Sequence, residues 1–195
     1  MTGEQGPPRG AVALSGQLAA VALGSSLGPS RRAFRLAVAM LAATAGIHDL
    51  RPSRIYLTAP AGGVARRPFL NACVRMRTTL SPGELLARCR QIELRLGRRP
   101  TRRWADRALD LDVLLYGEER IDSSALVLPH PRMHDRPFQL LPLLDCWPDV
   151  PGPWRSLADA MSPLPIVGVL PRVRAPGLSD DEHRLCGMPD DPIAD

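Results

Sequence analysis

The chain contains no lysine: all 25 of its basic residues are arginine. That excludes catalysis by a lysine amine and any Walker-type phosphate loop ending in Gly-Lys. Every side-chain cation other than histidine is instead a planar, permanently charged fork that suits phosphate. Aromatic residues are scarce too, at 4%. Nucleic-acid binding needs surfaces on which bases stack as well as positive charge, and no arginine-rich run here is interleaved with aromatics. Cys73, Cys89, Cys146 and Cys186 show neither C-x-x-C nor Cys/His spacing. A disulfide framework or zinc site is therefore not expected, and a reducing, cytoplasmic compartment is. No apolar run reaches the roughly 18 residues of a membrane span. Ala11–Leu23 is apolar and follows Arg9, but Ser15, Gly16 and Gln17 interrupt it, so an export signal is not expected either.

The charge that is present divides unevenly. Six acids and one arginine lie in Ala175–Asp195, a net of −5, which leaves +10 on residues 1–174 out of the total of +5. A basic body with few aromatics favours a small phosphate-bearing ligand over nucleic acid. The length of 195 residues fits one domain with tails. We expect a disordered lead-in at 1–17, one folded domain at 18–174, and an acidic, disordered tail at 175–195.

Hydrophobic periodicity sets out the elements. Ala19–Leu23 reads as a short buried strand that ends at Gly24-Ser25-Ser26-Leu27-Gly28. Pro29 and Ser30 open a helix from Arg31 to about Thr44, with Phe34, Val38 and Leu41 at helical spacing. The glycine/serine turn could expose N–H groups to phosphate or be an ordinary connection. Ile47–Leu57 reads as one extended strand, interrupted at Pro52 and so at an edge. Thr58–Pro68 is a loop with two arginines. Phe69–Thr79 alternates, with Leu70, Ala72, Val74 and Met76 on one face and Asn71, Cys73, Arg75 and Arg77 on the other, which predicts a strand. Ser81-Pro82-Gly83-Glu84 is a capping box; its helix runs to about Leu96 on a stripe of Leu85, Cys89, Ile92 and Leu96. Asp110–Tyr116 reads as a strand, Gln139–Trp147 and Ser156–Met161 as short helices, and Ile166–Leu170 as a strand. The order β-α-β-β-α-β predicts an α+β sandwich of ferredoxin-like type with a largely antiparallel sheet.

The stretch Arg103–Tyr116, RWADRALDLDVLLY, carries the chemistry. Asp110 and Asp112 stand at i and i+2, so in a strand they share a face, with Cα atoms about 7 Å apart. Two hard oxygen ligands so placed could hold one or two divalent cations. Arg98, Arg99, Arg102, Arg103 and Arg107 precede them, as suits a polyanion that arrives with metal. A D-x-D pair alone is more often a solvated strand end. His130 and His134 could suggest a metal pair, but Pro131 and Pro137 argue against the helix that would align them.

Taken together, the Gly-Ser turn, the Thr/Pro/Gly loop before Phe-x-Asn, the arginine loop, D-L-D and P-H-P-R-x-H-x-R-x-F resemble the 6-hydroxymethyl-7,8-dihydropterin pyrophosphokinase family. The resemblance runs from about Leu18 to Val169. It implies transfer of diphosphate from ATP to the hydroxymethyl group of the pterin, giving AMP and the pterin diphosphate, in folate biosynthesis. It further implies that Asp110 and Asp112 hold two Mg²⁺ ions arriving with ATP, and that Arg98 and Arg107 grip the phosphates. Trp104, His130 and Arg136 match ATP-binding positions. Thr58 and Asn71 match residues that bond the pterin edge, and Phe69 and Phe138 match the aromatic pair around its ring. Glu93 matches a family glutamate to which the sequence assigns no role, and an exposed helix face is expected for it. The chain departs from the family pattern at Ser26 and at Ala105-Asp106, and its arginine loop is one residue shorter. Asp106 adds a negative charge near the expected phosphate site. The alternatives are a catalytically impaired paralogue and a basic RNA-binding α+β domain. The expected partners are ATP and the pterin, with no nucleic acid and no membrane, and the expected state is a monomer.

Overall fold

The structure, a computed structural model, describes residues 16–26, 30–59, 68–98, 108–161 and 166–172. Residues 1–15 of the expected lead-in, most of the Thr58–Pro68 loop, the arginine loop at 99–107 and the whole of the expected tail at 175–195 lie outside these residues.

Strand β1 (Gln17–Ser25) is the axis of the molecule. It pairs antiparallel along its whole length with β4 (Phe69–Thr78), from Gln17↔Thr78 to Ser25↔Leu70, and on its other side with β5 (Asp110–Tyr116). Beyond β4 lie β2 (Ile47–Pro52) and β3 (Ile55–Thr58), and β3 in turn pairs with β8 (Ile166–Leu170). All these pairings are antiparallel, in the order β5-β1-β4-β3-β8 with β2 also on β4. The ferredoxin-like expectation therefore holds. Ile47–Leu57, expected as one strand, is instead two. Pro52 has no N–H to donate, and β2 stops there. Ser53 turns in, donating its N–H to the Cys73 carbonyl at 2.7 Å, while its hydroxyl accepts the Cys73 N–H at 2.9 Å. The edge position expected from Pro52 applies to β2, whereas β3 has a neighbour on both sides.

Helices cover both faces of the sheet. On one, α1 (Ser30–Ala42) and α2 (Pro82–Arg95) bury Phe34, Val38, Leu41, Leu85, Cys89 and Ile92 against Val21, Val74, Met76, Leu111 and Val113. The capping box forms as the sequence predicts: Glu84 donates its N–H to the Ser81 hydroxyl, and the Glu84 carboxylate accepts the Ser81 N–H at 2.8 Å. Such a cap contributes about 1 kcal/mol. On the other face, α3 (Pro137–Cys146) and α4 (Trp154–Ala160) bury Leu140, Leu143, Trp147 and Trp154 against Ala20, Ala22, Cys73 and Leu114. The alternation in β4 accounts for both cores, since Ala72, Val74 and Met76 serve the first and Cys73 the second. A two-residue hairpin, β6 (Ile121–Asp122) with β7 (Val127–Leu128), lies outside the main sheet. No helix among the described residues is long and apolar enough to cross a membrane. Cys73, Cys89 and Cys146 are buried free thiols.

Candidate active site

The alternation of β5 decides where its acids go. Leu111 and Val113 enter the core under α1 and α2, so Asp110 and Asp112 fall on the opposite face, beneath α3. The β1 register then lines up the rest: Gly24 pairs with Asp110 on one side and with Asn71 on the other, and Ala22 pairs with Asp112. Cross-strand partners point to the same face. Asp110 and Asn71 therefore flank Gly24, with Cα atoms on the order of 10 Å apart, two strand spacings. A Cβ at Gly24 would meet nothing nearer than the Asp110 Cβ at 4.0 Å. Having none, Gly24 leaves the floor between the two residues low.

On the β4 side, the Asn71 amide donates to the Thr58 hydroxyl at 3.0 Å, both residues being buried. Thr58 pairs with Phe69 across β3 and β4. Phe138 lies in the first turn of α3, where Pro137 occupies the first helical position, and the Arg136 guanidinium stands 5.9 Å from the Phe138 ring centroid. The Arg136 Nε is buried and has no hydrogen-bond partner among the described residues.

On the β5 side the polar contacts are denser. The Arg98 guanidinium pairs with the Asp110 carboxylate at 3.0 Å and with Glu93. The exposed face expected for Glu93 is wrong. Only 2% exposed, Glu93 accepts the Leu111 N–H at 2.7 Å, on the side of β5 away from β1. Its position four residues after Cys89 puts it on the helix's core-facing stripe, a signal the sequence did contain. Burial pushes the Glu93 carboxyl above its usual range, against the opposing pull of Arg98 and the Leu111 N–H. Asp112 is likewise raised, by burial first and then by the charge of Asp110, against His130, Arg136 and Arg98.

His130 reaches Asp112 through an irregularity in β5. Ala20 pairs with Leu115 and Val21 with Val113, so Leu114 is skipped in the register. The carbonyl of Leu114 accepts the His130 N–H at 2.9 Å. The ring's Nδ1 accepts the Arg132 N–H at 3.2 Å, and its Nε2 lies 4.0 Å from the Asp112 carboxylate. With Nδ1 used as an acceptor, a neutral ring carries its proton on Nε2, facing Asp112. Burial lowers the His130 pKa, with Asp112 opposing. His134 is exposed on the short 3-10 turn Met133–Asp135. Gln139, which no local sequence pattern marks, donates from Nε2 to Asp112 Oδ2 at 3.5 Å.

Thr58, Phe69, Asn71, Arg98, Asp110, Asp112, His130, Arg136 and Phe138 are all described, and Trp104 and Arg107 lie outside the described residues. The Ser25 hydroxyl is bonded to Ser30 at 2.7 Å and to the Ala108 carbonyl at 2.6 Å, so it ties α1 to the entry of β5. No third histidine, cysteine or acid joins Asp110 and Asp112 in a metal-ligating group among the described residues. Two carboxylates with room for other ligands suit a hard cation that takes its remaining oxygens from water and phosphate, as Mg²⁺ does.

An antiparallel ferredoxin-like sandwich with paired carboxylates at the start of an outer strand describes a class of fold and site, and comparison with known proteins narrows it. A crystal structure of HPPK-DHPS in complex with substrates shares the fold, with a TM-score of 0.55 at 14% identity. That match covers 75% of this chain and 43% of the other, so this chain spans less than half of that protein. The family model for 7,8-dihydro-6-hydroxymethylpterin-pyrophosphokinase matches residues 20–148. This chain belongs to that family. The 2-amino-4-hydroxy-6-hydroxymethyldihydropteridine pyrophosphokinase of Bacillus subtilis is 43% identical over 66% of this chain and 77% of its own length. The enzyme of the same name from Methylorubrum extorquens is 39% identical over 75% and 93%. The mitochondrial folate synthesis bifunctional protein of Pisum sativum is 41% identical over 64% of this chain and 24% of its own length.

Proposed function

We propose that this chain transfers diphosphate from ATP to the hydroxymethyl group of 6-hydroxymethyl-7,8-dihydropterin, releasing AMP and the pterin diphosphate for folate biosynthesis. The observation that carries this reading is the row Asp110–Gly24–Asn71. It sets a charged end and a neutral hydrogen-bonding end on one face of the sheet, about a substrate's length apart.

In this reading Asn71 and Thr58 bond the polar edge of the pterin while Phe69 and Phe138 take its ring. The ring would lie near α3 with its hydroxymethyl arm directed over Gly24 toward Asp110 and Asp112. Arg136 and His130 hold the nucleotide, as do Trp104 and Arg107 in the loop before β5. Arg98, now paired with Asp110 and Glu93, is the nearest described arginine to the acids' outer side and binds phosphate. Asp110 and Asp112 would hold two Mg²⁺ ions entering with ATP, which would supply neutralisation of phosphate charge and polarisation of the transferred group. The pterin oxygen forms a bond to the β-phosphorus as the bond from that phosphorus to the α–β bridging oxygen breaks. AMP leaves with the bridging oxygen, and the hydroxyl proton is lost to solvent. The chain's own part is alignment and electrostatic complementarity, which dominate phosphoryl transfer. We assign the folded domain to 18–174 and the reaction to the cytoplasm, where the thiols of Cys73, Cys89 and Cys146 would stay reduced.

The test is to incubate the protein with ATP, Mg²⁺ and the hydroxymethyl pterin and to separate the products. AMP and pterin diphosphate in equal amounts are expected. ADP in place of AMP would mean γ-phosphoryl transfer and overturn the reading.

A further inference from the structure

We propose that Gln139 is a positioning residue for Asp112. It fixes the carboxylate from the α3 side, and its amide oxygen, which has no partner among the described residues, is kept for a donor that arrives with the loaded site.

Three observations converge on it. Gln139 is only 5% exposed, and it is polar in an otherwise apolar stretch, Gln139–Leu144, that packs α3 onto the sheet. Its Nε2 lies 3.5 Å from Asp112 Oδ2. Its Oε1 is buried and has no hydrogen-bond partner among the described residues. The amide orientation follows from charge: turning the group over would set Oε1 against a carboxylate oxygen. An unpartnered buried amide oxygen costs roughly 1–3 kcal/mol, so a leucine would pack this turn of α3 more favourably. A polar group kept at such a cost beside a charged site is explained if the bound state satisfies it.

The geometry also says what the residue does to Asp112. Two side chains meet the same oxygen: Gln139 Nε2 at 3.5 Å and His130 Nε2 at 4.0 Å, each from Oδ2. With Oδ2 drawn toward α3 and His130, the rotation of the carboxylate is set, and Oδ1 is left outside both contacts. Hydrogen-bonded partners of a ligating carboxylate commonly contribute 10–100-fold to cation affinity. The inference rests on Asp112 being a cation ligand, as proposed above.

The experiment measures cation binding at equilibrium rather than turnover. Mn²⁺ is titrated, with electron paramagnetic resonance detection, into the full chain in the presence of α,β-methylene-ATP, whose bridging carbon blocks diphosphate transfer. Gln139→Leu should weaken Mn²⁺ binding by about tenfold while its Tm stays level or rises, because the orphaned oxygen has gone. A structural role alone would lower Tm and leave Mn²⁺ affinity in place. That result, or affinity within twofold of the parent, would overturn the proposal. Gln139→Met, unbranched like glutamine, carries the same test if the leucine variant does not fold. Asp112→Ala runs alongside. If it too keeps the parent affinity, the ligand assignment of Asp112 fails, and if it alone loses affinity, only the inference about Gln139 fails.

Discussion

Asn71 and Thr58 bond to each other at one end of the candidate site, buried and neutral. Asp110 and Asp112 stand side by side at the other end, among Arg98, His130 and Arg136. The first end already has its hydrogen bonds made in a geometry fixed by the β3–β4 register, and a flat polar ring would need little rearrangement to add to it. The second end holds two like charges together with the help of cations that would also serve a polyphosphate. Arg98 pairs with Asp110, an arrangement that must change if the acid takes a metal ion and the arginine a phosphate. Pre-organisation at the neutral end and partner exchange at the charged end divide the work between binding one substrate and reacting with the other.

Removing either acid should disable the charged end outright. Asp110→Ala or Asp112→Ala should lower AMP formation by at least about 10³-fold, while circular dichroism shows a folded protein. The charge of Asp110 works against that of Asp112, and truncating either acid relieves that repulsion. Near-parent turnover in either variant would remove the charged end from the mechanism.

Glu93 tests how the charged end is held. Glu93→Ala takes away the acceptor of the Leu111 N–H and one of the two carboxylates on Arg98. A buried donor left without a partner costs about 1–3 kcal/mol, which urea denaturation would report. Glu93→Gln keeps an acceptor for Leu111 and should recover much of that stability. It leaves Arg98 more tightly committed to Asp110, so the KM for ATP should rise even where stability returns. Equal denaturation midpoints for the alanine variant and the parent would show that the edge of β5 is held by something else.

At the neutral end, Asn71→Ala should raise the pterin KM by about tenfold, the loss of roughly 1.4 kcal/mol of hydrogen bonding. The KM for ATP should be unchanged. A parallel rise in both would mean the two ends are coupled through the sheet, and the division drawn above would not stand.

The two ends were also unequally legible in the sequence. Period-2 alternation in Phe69–Thr79 and period-3.6 spacing in the Ser81–Leu96 segment are local properties, and both elements formed where they were expected, cap included. The D-L-D pair was visible as a pair, because strand alternation alone puts its members on one face. Its supports were less accessible. The charge of Glu93 suggests an exposed face, while its place four residues after Cys89 puts it on the core-facing stripe. Gln139 meets Asp112 only because α3 packs across β5, a contact between residues 27 apart in the chain that no local pattern encodes. The division of Ile47–Leu57 into β2 and β3 depends on Ser53 finding Cys73 in β4, which is likewise a tertiary event. Hairpin β6–β7, with two residues in each strand, is too short for periodicity to reveal.

The smallest expected effect concerns the apolar layer beneath the charged end. Cys89 lies on α2 one turn before Glu93, and burial, then the charges of Glu93 and Asp112, push its thiol up to about 12. In the unfolded chain the thiol titrates near 8.5. Below that pH both states keep the proton, and the thiol contributes nothing to pH dependence. Between roughly pH 8.5 and 12 the unfolded chain gives up its proton while the folded one retains it, so stability falls as pH rises. At pH 9.5 the loss from this one group should be about 1 kcal/mol, and Cys89→Ala should show that much less destabilisation than the parent between pH 8 and pH 9.5. The two denaturation series would then diverge with pH even though the mutation removes no hydrogen bond. If they run parallel, the thiol ionises as easily folded as unfolded, and water reaches the core under Glu93 and Asp112. The charged end would then rest on a hydrated layer, and the push of Asp110 on Asp112 would weaken with it.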